Sequence, residues 1–142
     1  NEAGDSVGVF AVNQKQGTLR RIQTMSTLPA GFDGSTNATA RCEITPNGKF
    51  VYIANRGHDS LAGFAIDPQT GKVRSLGQTL TEKTPRSFSI EPQGKFLYAA
   101  GESSGRIAAY RIGTDGHLTR IATYESGPVS WWALAVDTPS AN

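Results

Sequence analysis

Large apolar residues alternate with small or polar ones in short runs along this chain, and glycine, proline, asparagine and aspartate punctuate the runs every few residues. Ser60-Leu61-Ala62-Gly63-Phe64-Ala65-Ile66 is typical, with the period of two expected of a strand whose faces differ in character. Pro46-Asn47-Gly48 and Asp67-Pro68-Gln69-Thr70-Gly71 read as turns, in which proline presets φ and glycine accepts a positive φ. These signals predict strands over residues 39–45, 49–55, 60–66 and 72–79. No stretch of about ten or more residues carries a helical stripe.

The pattern repeats. Pro46-Asn47-Gly48-Lys49-Phe50-Val51-Tyr52 returns as Pro92-Gln93-Gly94-Lys95-Phe96-Leu97-Tyr98, and Phe64-Ala65-Ile66 returns at the same spacing of 46 as Tyr110-Arg111-Ile112. Phe10-Ala11-Val12 is an earlier copy, set further back by an insertion within residues 28–38. Four short strands in roughly 45 residues are the mark of a β-propeller blade. The expected fold is therefore all-β, a propeller fragment of about three four-stranded antiparallel blades forming one partial propeller. Residues 5–26 would supply the outer half of one blade, 39–79 and 85–124 two whole blades, and 130–136 the inner strand of a further one. Phe10, Phe50, Tyr52, Phe64, Phe96, Tyr98 and Tyr110, with Ile44, Ile66, Ile90 and Ile112, are expected to pack between blades. Propellers close with about 4–8 blades, so this arc should self-associate or be completed by further blades.

Composition narrows the function classes. Fourteen basic residues against 12 acidic ones leave a net charge of +2, too weak a balance to point to nucleic acid or an anionic membrane. One cysteine, Cys42, precludes an intrachain disulfide, and two histidines with one cysteine make a metal centre unexpected. No apolar run approaches the ~18 residues of a membrane helix. Gly101-Glu102-Ser103-Ser104-Gly105 is glycine-bounded but has no helix after it, so no dinucleotide cofactor is expected. The chain opens on Asn1 with no leader visible beside it. A cytoplasmic location is the expectation, with export left open by a leader already removed or a start inside a longer product.

Asn55-Arg56-Gly57-His58-Asp59-Ser60, set between the Pro46 and Asp67 turns, resembles the seven-bladed propeller lactonase family, which includes bacterial propeller-type 6-phosphogluconolactonases and fungal carboxy-muconate cyclases. Thr84-Pro85-Arg86-Ser87-Phe88 followed by Pro92-Gln93-Gly94-Lys95-Phe96-Leu97-Tyr98-Ala99-Ala100 is similar to that family's next blade. The resemblance spans residues 5–136 and matches the C-terminal part of a longer protein. It implies a channel-mouth site for a small anionic substrate, with Glu43, Arg56, His58 and Arg86 at the matching positions. It also implies a lactonase-type hydrolase, or a cyclase-like isomerase; a non-catalytic propeller segment is the third reading.

Arginine presents a planar fork suited to phosphate and carboxylate, so Arg56 and Arg86 are the candidate binding residues. His58 and Glu43 are the candidate general bases, with Glu43 alternatively orienting the histidine. Glu102, one repeat beyond Arg56, should face the same channel mouth and is a further candidate for binding. Each has a structural alternative. His58 can serve its turn through Asp59 or Ser60, Arg56 and Arg86 can bridge blades, and Glu43 can pair with Arg41 along one strand face. Trp131 and Trp132 should point to opposite faces if 130–136 is a strand, one into the core and one toward the channel. Cys42 reads as a small buried filler.

Overall fold

The computed structural model describes residues 1–137, and these form three antiparallel sheets. β1 (Ser6–Asn13) and β2 (Thr18–Ser26) pair as a hairpin. β3 (Thr39–Ile44), β4 (Phe50–Asn55), β5 (Ser60–Ile66) and β6 (Val73–Leu80) make a four-stranded sheet in chain order. β7 (Pro85–Ile90), β8 (Phe96–Gly101), β9 (Arg106–Ile112) and β10 (Leu118–Glu125) make a second one. Among the described residues the only helical pieces are two single 3-10 turns, Glu2–Gly4 and Gly34–Thr36. No helix among the described residues is long and apolar enough to cross a membrane. The chain is a β-propeller fragment, with each four-stranded sheet a blade and β3 and β7 innermost.

The two-residue period decides which neighbour each side chain meets. Phe50, Tyr52 and Ala54 on alternate positions of β4 join Leu61 in a cluster with Phe88, Ile90, Leu97, Ala99, Ala108 and Tyr110 of the next blade. Val51 and Ile53, on the opposite face of β4, pack with Ala62, Phe64 and Val73 against Val7, Val9 and Met25 of the hairpin. Sandwiched between two neighbours, β4 is buried along its whole length.

Polar latches cross both seams. Gln23 brackets the edge of β6, its Nε2 donating to the Val73 carbonyl at 2.8 Å and its Oε1 accepting from the Val73 amide at 2.7 Å. Gln23→Ala removes both bonds at a place water can reach, and should cost about 1 kcal/mol in urea unfolding. The Tyr52 hydroxyl donates to the Gly116 carbonyl at 2.8 Å, and burial, then the charge of Asp115, pushes that phenol well above its ordinary pKa. Gly116 itself has φ +85° and sits so close to the Phe50 ring that a Cβ would lie 2.4 Å from it. Only glycine fits both requirements.

The β7–β8 turn is organised by Glu91, whose carboxylate accepts from the amides of Gln93, Lys95 and Phe96. Slight burial pushes this carboxyl up, but those amides outweigh it and leave the pKa below its ordinary value. A depressed pKa contributes stability above the unfolded value and loses it as pH falls through the folded one. Glu91→Gln should therefore lower Tm at pH 7, and the gap from wild type should close in acid below about pH 4.

Several expected core positions lie elsewhere. Phe10 is 49% exposed and Ile44 is 56% exposed. Both lie on faces turned away from the next blade, where no described strand covers them. Phe96 and Tyr98 are half-buried for the same reason at the other end, and Arg111 lies over the Phe96 ring at 5.1 Å. Ile66 and Ile112 are partly buried against the clusters rather than within them. Residues 130–136, expected as an inner strand, form none. The segment follows β7 through serine hydroxyls, Ala133 N to Ser87 Oγ at 3.2 Å and Ala135 N to Ser89 Oγ at 3.1 Å, and among the described residues no strand forms a ladder with it.

Candidate functional site

The inner strands carry a bulge at the same place. On β3, Ala40 and Arg41 together face Ala54 alone, between the Thr39–Asn55 and Cys42–Ile53 pairs. On β7, Arg86 is the extra residue between the Pro85–Gly101 and Ser87–Ala100 pairs. A bulge bends its strand and re-aims a side chain out of the sheet's alternation. Arg56 sits at the same end of the blade, just after β4. Its amide donates to the Ala38 carbonyl at 3.0 Å, and its guanidinium reaches the Ala38 and Thr39 carbonyls at 3.4 Å each.

These three arginines share one cleft of about 620 Å³, whose walls also include Glu2, Trp131 and Trp132. Each guanidinium is held by one carboxylate. Arg41 Nε meets Glu43 at 3.1 Å, Arg86 Nη1 meets Glu102 at 3.3 Å, and Arg56 Nη2 meets Glu2. A guanidinium has five N–H donors, so each of the three keeps donors beyond those contacts. Two also lie over indoles, Arg41 over Trp132 and Arg86 over Trp131, both at 4.9 Å from the ring centroid. The arrangement is a set of fixed forks suited to phosphate or carboxylate oxygens.

Of the residues expected at this site, Arg56 and Arg86 line the cleft together. Glu43 is not in its wall. It braces Arg41, and its Oε1 accepts from the Ile90 amide at 3.3 Å, tying β3 to β7. Glu102 braces Arg86 from an adjoining hollow lined by Ser103, Ser104 and Glu125.

His58 does not reach the cleft either. Asn37 Oδ1 accepts from the amides of Gly57 and His58 at 2.9 and 3.0 Å. The His58 ring contacts Phe32 edge-on at 4.6 Å, and its Nδ1 hydrogen-bonds Ser60 Oγ at 2.8 Å. The insertion over residues 28–38 thus folds onto this turn and packs Phe32 against the histidine ring. A Cβ on Gly57 would lie 2.4 Å from the Thr36 carbonyl oxygen, which is why the turn needs glycine there.

Three features of the cleft differ from, or add to, what the sequence predicts. Arg41 pairs with Glu43 as expected, but the bulge that turns its free edge to the cleft has no sequence mark. Trp131 and Trp132 are both exposed and both line the cleft, so neither packs in the core. The opposite-faces rule holds for strands, and this segment is not one. Glu2 carried no signal of its own. Cys42 is exposed rather than a buried filler. Among the described residues, no group of three or more His, Cys, Asp or Glu is placed to hold a metal ion.

Comparison with known proteins agrees with the propeller fold. A sequence model of the family described as "Lactonase, 7-bladed beta-propeller" matches residues 1–134. The 6-phosphogluconolactonase of Serratia proteamaculans is 35% identical over 133 residues, 93% of this chain and 40% of that protein. That of Sodalis glossinidius is 38% identical over the same length and shares. Among solved structures, the periplasmic gluconolactonase of Pseudomonas aeruginosa superposes with a TM-score of 0.83 at 30% identity, covering 91% of this chain and 36% of that one. A Lactobacillus plantarum protein gives a TM-score of 0.86 at 23% identity, over 92% of this chain and 38% of its own, and shows the shared fold. The chain spans about 40% of the length of the curated relatives it matches.

Proposed function

The chain belongs to the lactonase family of seven-bladed β-propellers, and from that footing we propose that it forms the anion-gripping wall of a lactonase site within a larger propeller. The substrate class is a small sugar lactone bearing phosphate or carboxylate, such as 6-phosphogluconolactone. One observation carries the reading: Arg41, Arg56 and Arg86 converge on a single cleft at the inner end of two adjacent blades.

Hydrolysis adds water across the lactone. The water oxygen bonds to the carbonyl carbon, the ring C–O bond breaks, and the departing oxygen takes a proton to leave a hydroxy acid. The carbonyl oxygen gains negative charge in the transition state, and a donor already aimed at it lowers the barrier. In this reading the arginines hold the substrate's anionic group bidentately and a remaining N–H faces the oxyanion. Glu43 and Glu102 act as braces that fix Arg41 and Arg86, not as bases. Glu2 is the carboxylate of the cleft wall itself.

A pH-stat tests the reading, because each turnover releases an acid. The protein should consume alkali above the spontaneous rate on addition of 6-phosphogluconolactone. Alkali uptake at the spontaneous rate, in a preparation that circular dichroism shows to be folded, removes the hydrolase. A change in ultraviolet absorbance with a carboxymuconate would then indicate a cyclase, and silence in both assays a non-catalytic segment. The exposed apolar ends of the arc also imply partners: sedimentation of the chain alone should show self-association, and a folded monomer at micromolar concentration would contradict it.

A further inference from the structure

The two indoles of the cleft are exposed to an unusual degree for tryptophan, Trp131 at 57% and Trp132 at 68%. Each has a guanidinium against it, and neither is held in the core. Arg41 spends its Nε on Glu43 and Arg86 its Nη1 on Glu102, so the donors left over belong to groups already anchored from two sides. Such an arginine loses little freedom when it takes an anion, while the uncovered indole surface offers an apolar, polarisable plane beside that anion. A bare phosphate or sulfate has nothing to place on such a plane. A sugar acid does, because one face of its carbon skeleton is a row of C–H bonds.

Building on the lactonase reading of this cleft, we propose that Trp131 and Trp132 are specificity-determining residues. They take the C–H face of a sugar-derived ring or chain while Arg41 and Arg86 take its anionic substituent. The ligand class is thereby a phosphorylated or carboxylated sugar, distinguished from free inorganic anions.

The chain's two tryptophans both line the cleft, so intrinsic fluorescence of the full chain reports its occupancy. Titration with 6-phosphogluconate should change the emission saturably, with an affinity about tenfold or more above that for inorganic phosphate. By calorimetry, Trp131→Ala and Trp132→Ala should each weaken 6-phosphogluconate about tenfold and leave phosphate within about twofold. The phenylalanine variants should recover most of the loss, and Tm should not move. Equal affinity for phosphate and 6-phosphogluconate in the wild type overturns the proposal, as does wild-type affinity in both alanine variants. A parallel loss of phosphate affinity overturns it too, since the indoles would then act only by holding the arginines. Failure of the lactonase reading looks different: tight, indole-dependent binding of 6-phosphogluconate without lactone hydrolysis leaves the platform in place.

Discussion

Phe88→Ala should destabilise the fold by about 3–5 kcal/mol, seen as a lower urea midpoint with an unchanged slope. Phe88 is fully buried on the inner strand β7, in the cluster that joins the two complete blades. Removing its ring leaves a void in the middle of a seam whose other members are fixed by two sheets, so little can collapse into it. The control is Phe10→Ala. Phe10 is a blade-repeat counterpart of Phe64, yet it is half exposed on the outer face of the hairpin, and its loss should cost less than about 1 kcal/mol. Equal effects at the two positions would mean that the seams are not where the buried clusters place them.

On the proposed lactonase reading, Arg86→Ala should lower kcat/KM for 6-phosphogluconolactone by about 10–100-fold, mainly through KM. A charge-assisted hydrogen bond to a charged group is worth about 1.5–3 kcal/mol, and each 1.4 kcal/mol is about tenfold. Arg86 is the clearer test because its side chain is 42% exposed. Arg56 is 18% exposed and also bonds the carbonyls of Ala38 and Thr39, so removing it disturbs the turn as well. Arg86→Lys should recover less than half of the loss, since an ammonium keeps the charge but not the planar fork. Pre-steady-state and steady-state assays with unchanged Tm check this, and wild-type KM in Arg86→Ala would place the anion elsewhere.

What the sequence reveals and what it hides follow from the same physics. Turn residues and a two-residue period are local, so the spacing of 46 marks the blades and their strand order without reference to the rest of the chain. Burial is not local. Phe10, Ile44, Phe96 and Tyr98 carry the repeat's core pattern, but no described strand of a further blade covers their faces, and identical letters therefore end in different environments. Residues 130–136 have strand composition, but strand structure depends on a ladder that nothing in the segment itself supplies. The site divides in the same way. Arg56 and Arg86 are legible because the family resemblance marks both, and the strand order puts them on adjacent blades. The part played by Arg41 depends on a bulge, and that of the two tryptophans on the path of a non-strand segment. His58 is adjacent to Arg56 in sequence, but it lies outside the cleft wall, and the insertion that contacts it through Asn37 and Phe32 is distant in sequence.

Phosphorus-31 NMR of 6-phosphogluconate tests most directly whether the three arginines form one anion site. Adding the wild-type protein should shift or broaden the phosphate resonance in proportion to occupancy, and raising the salt concentration should reverse the change. A folded variant with Arg41, Arg56 and Arg86 all replaced by glutamine should leave the resonance where it stands in free solution. The same response from both proteins, or none from the wild type, would contradict the account.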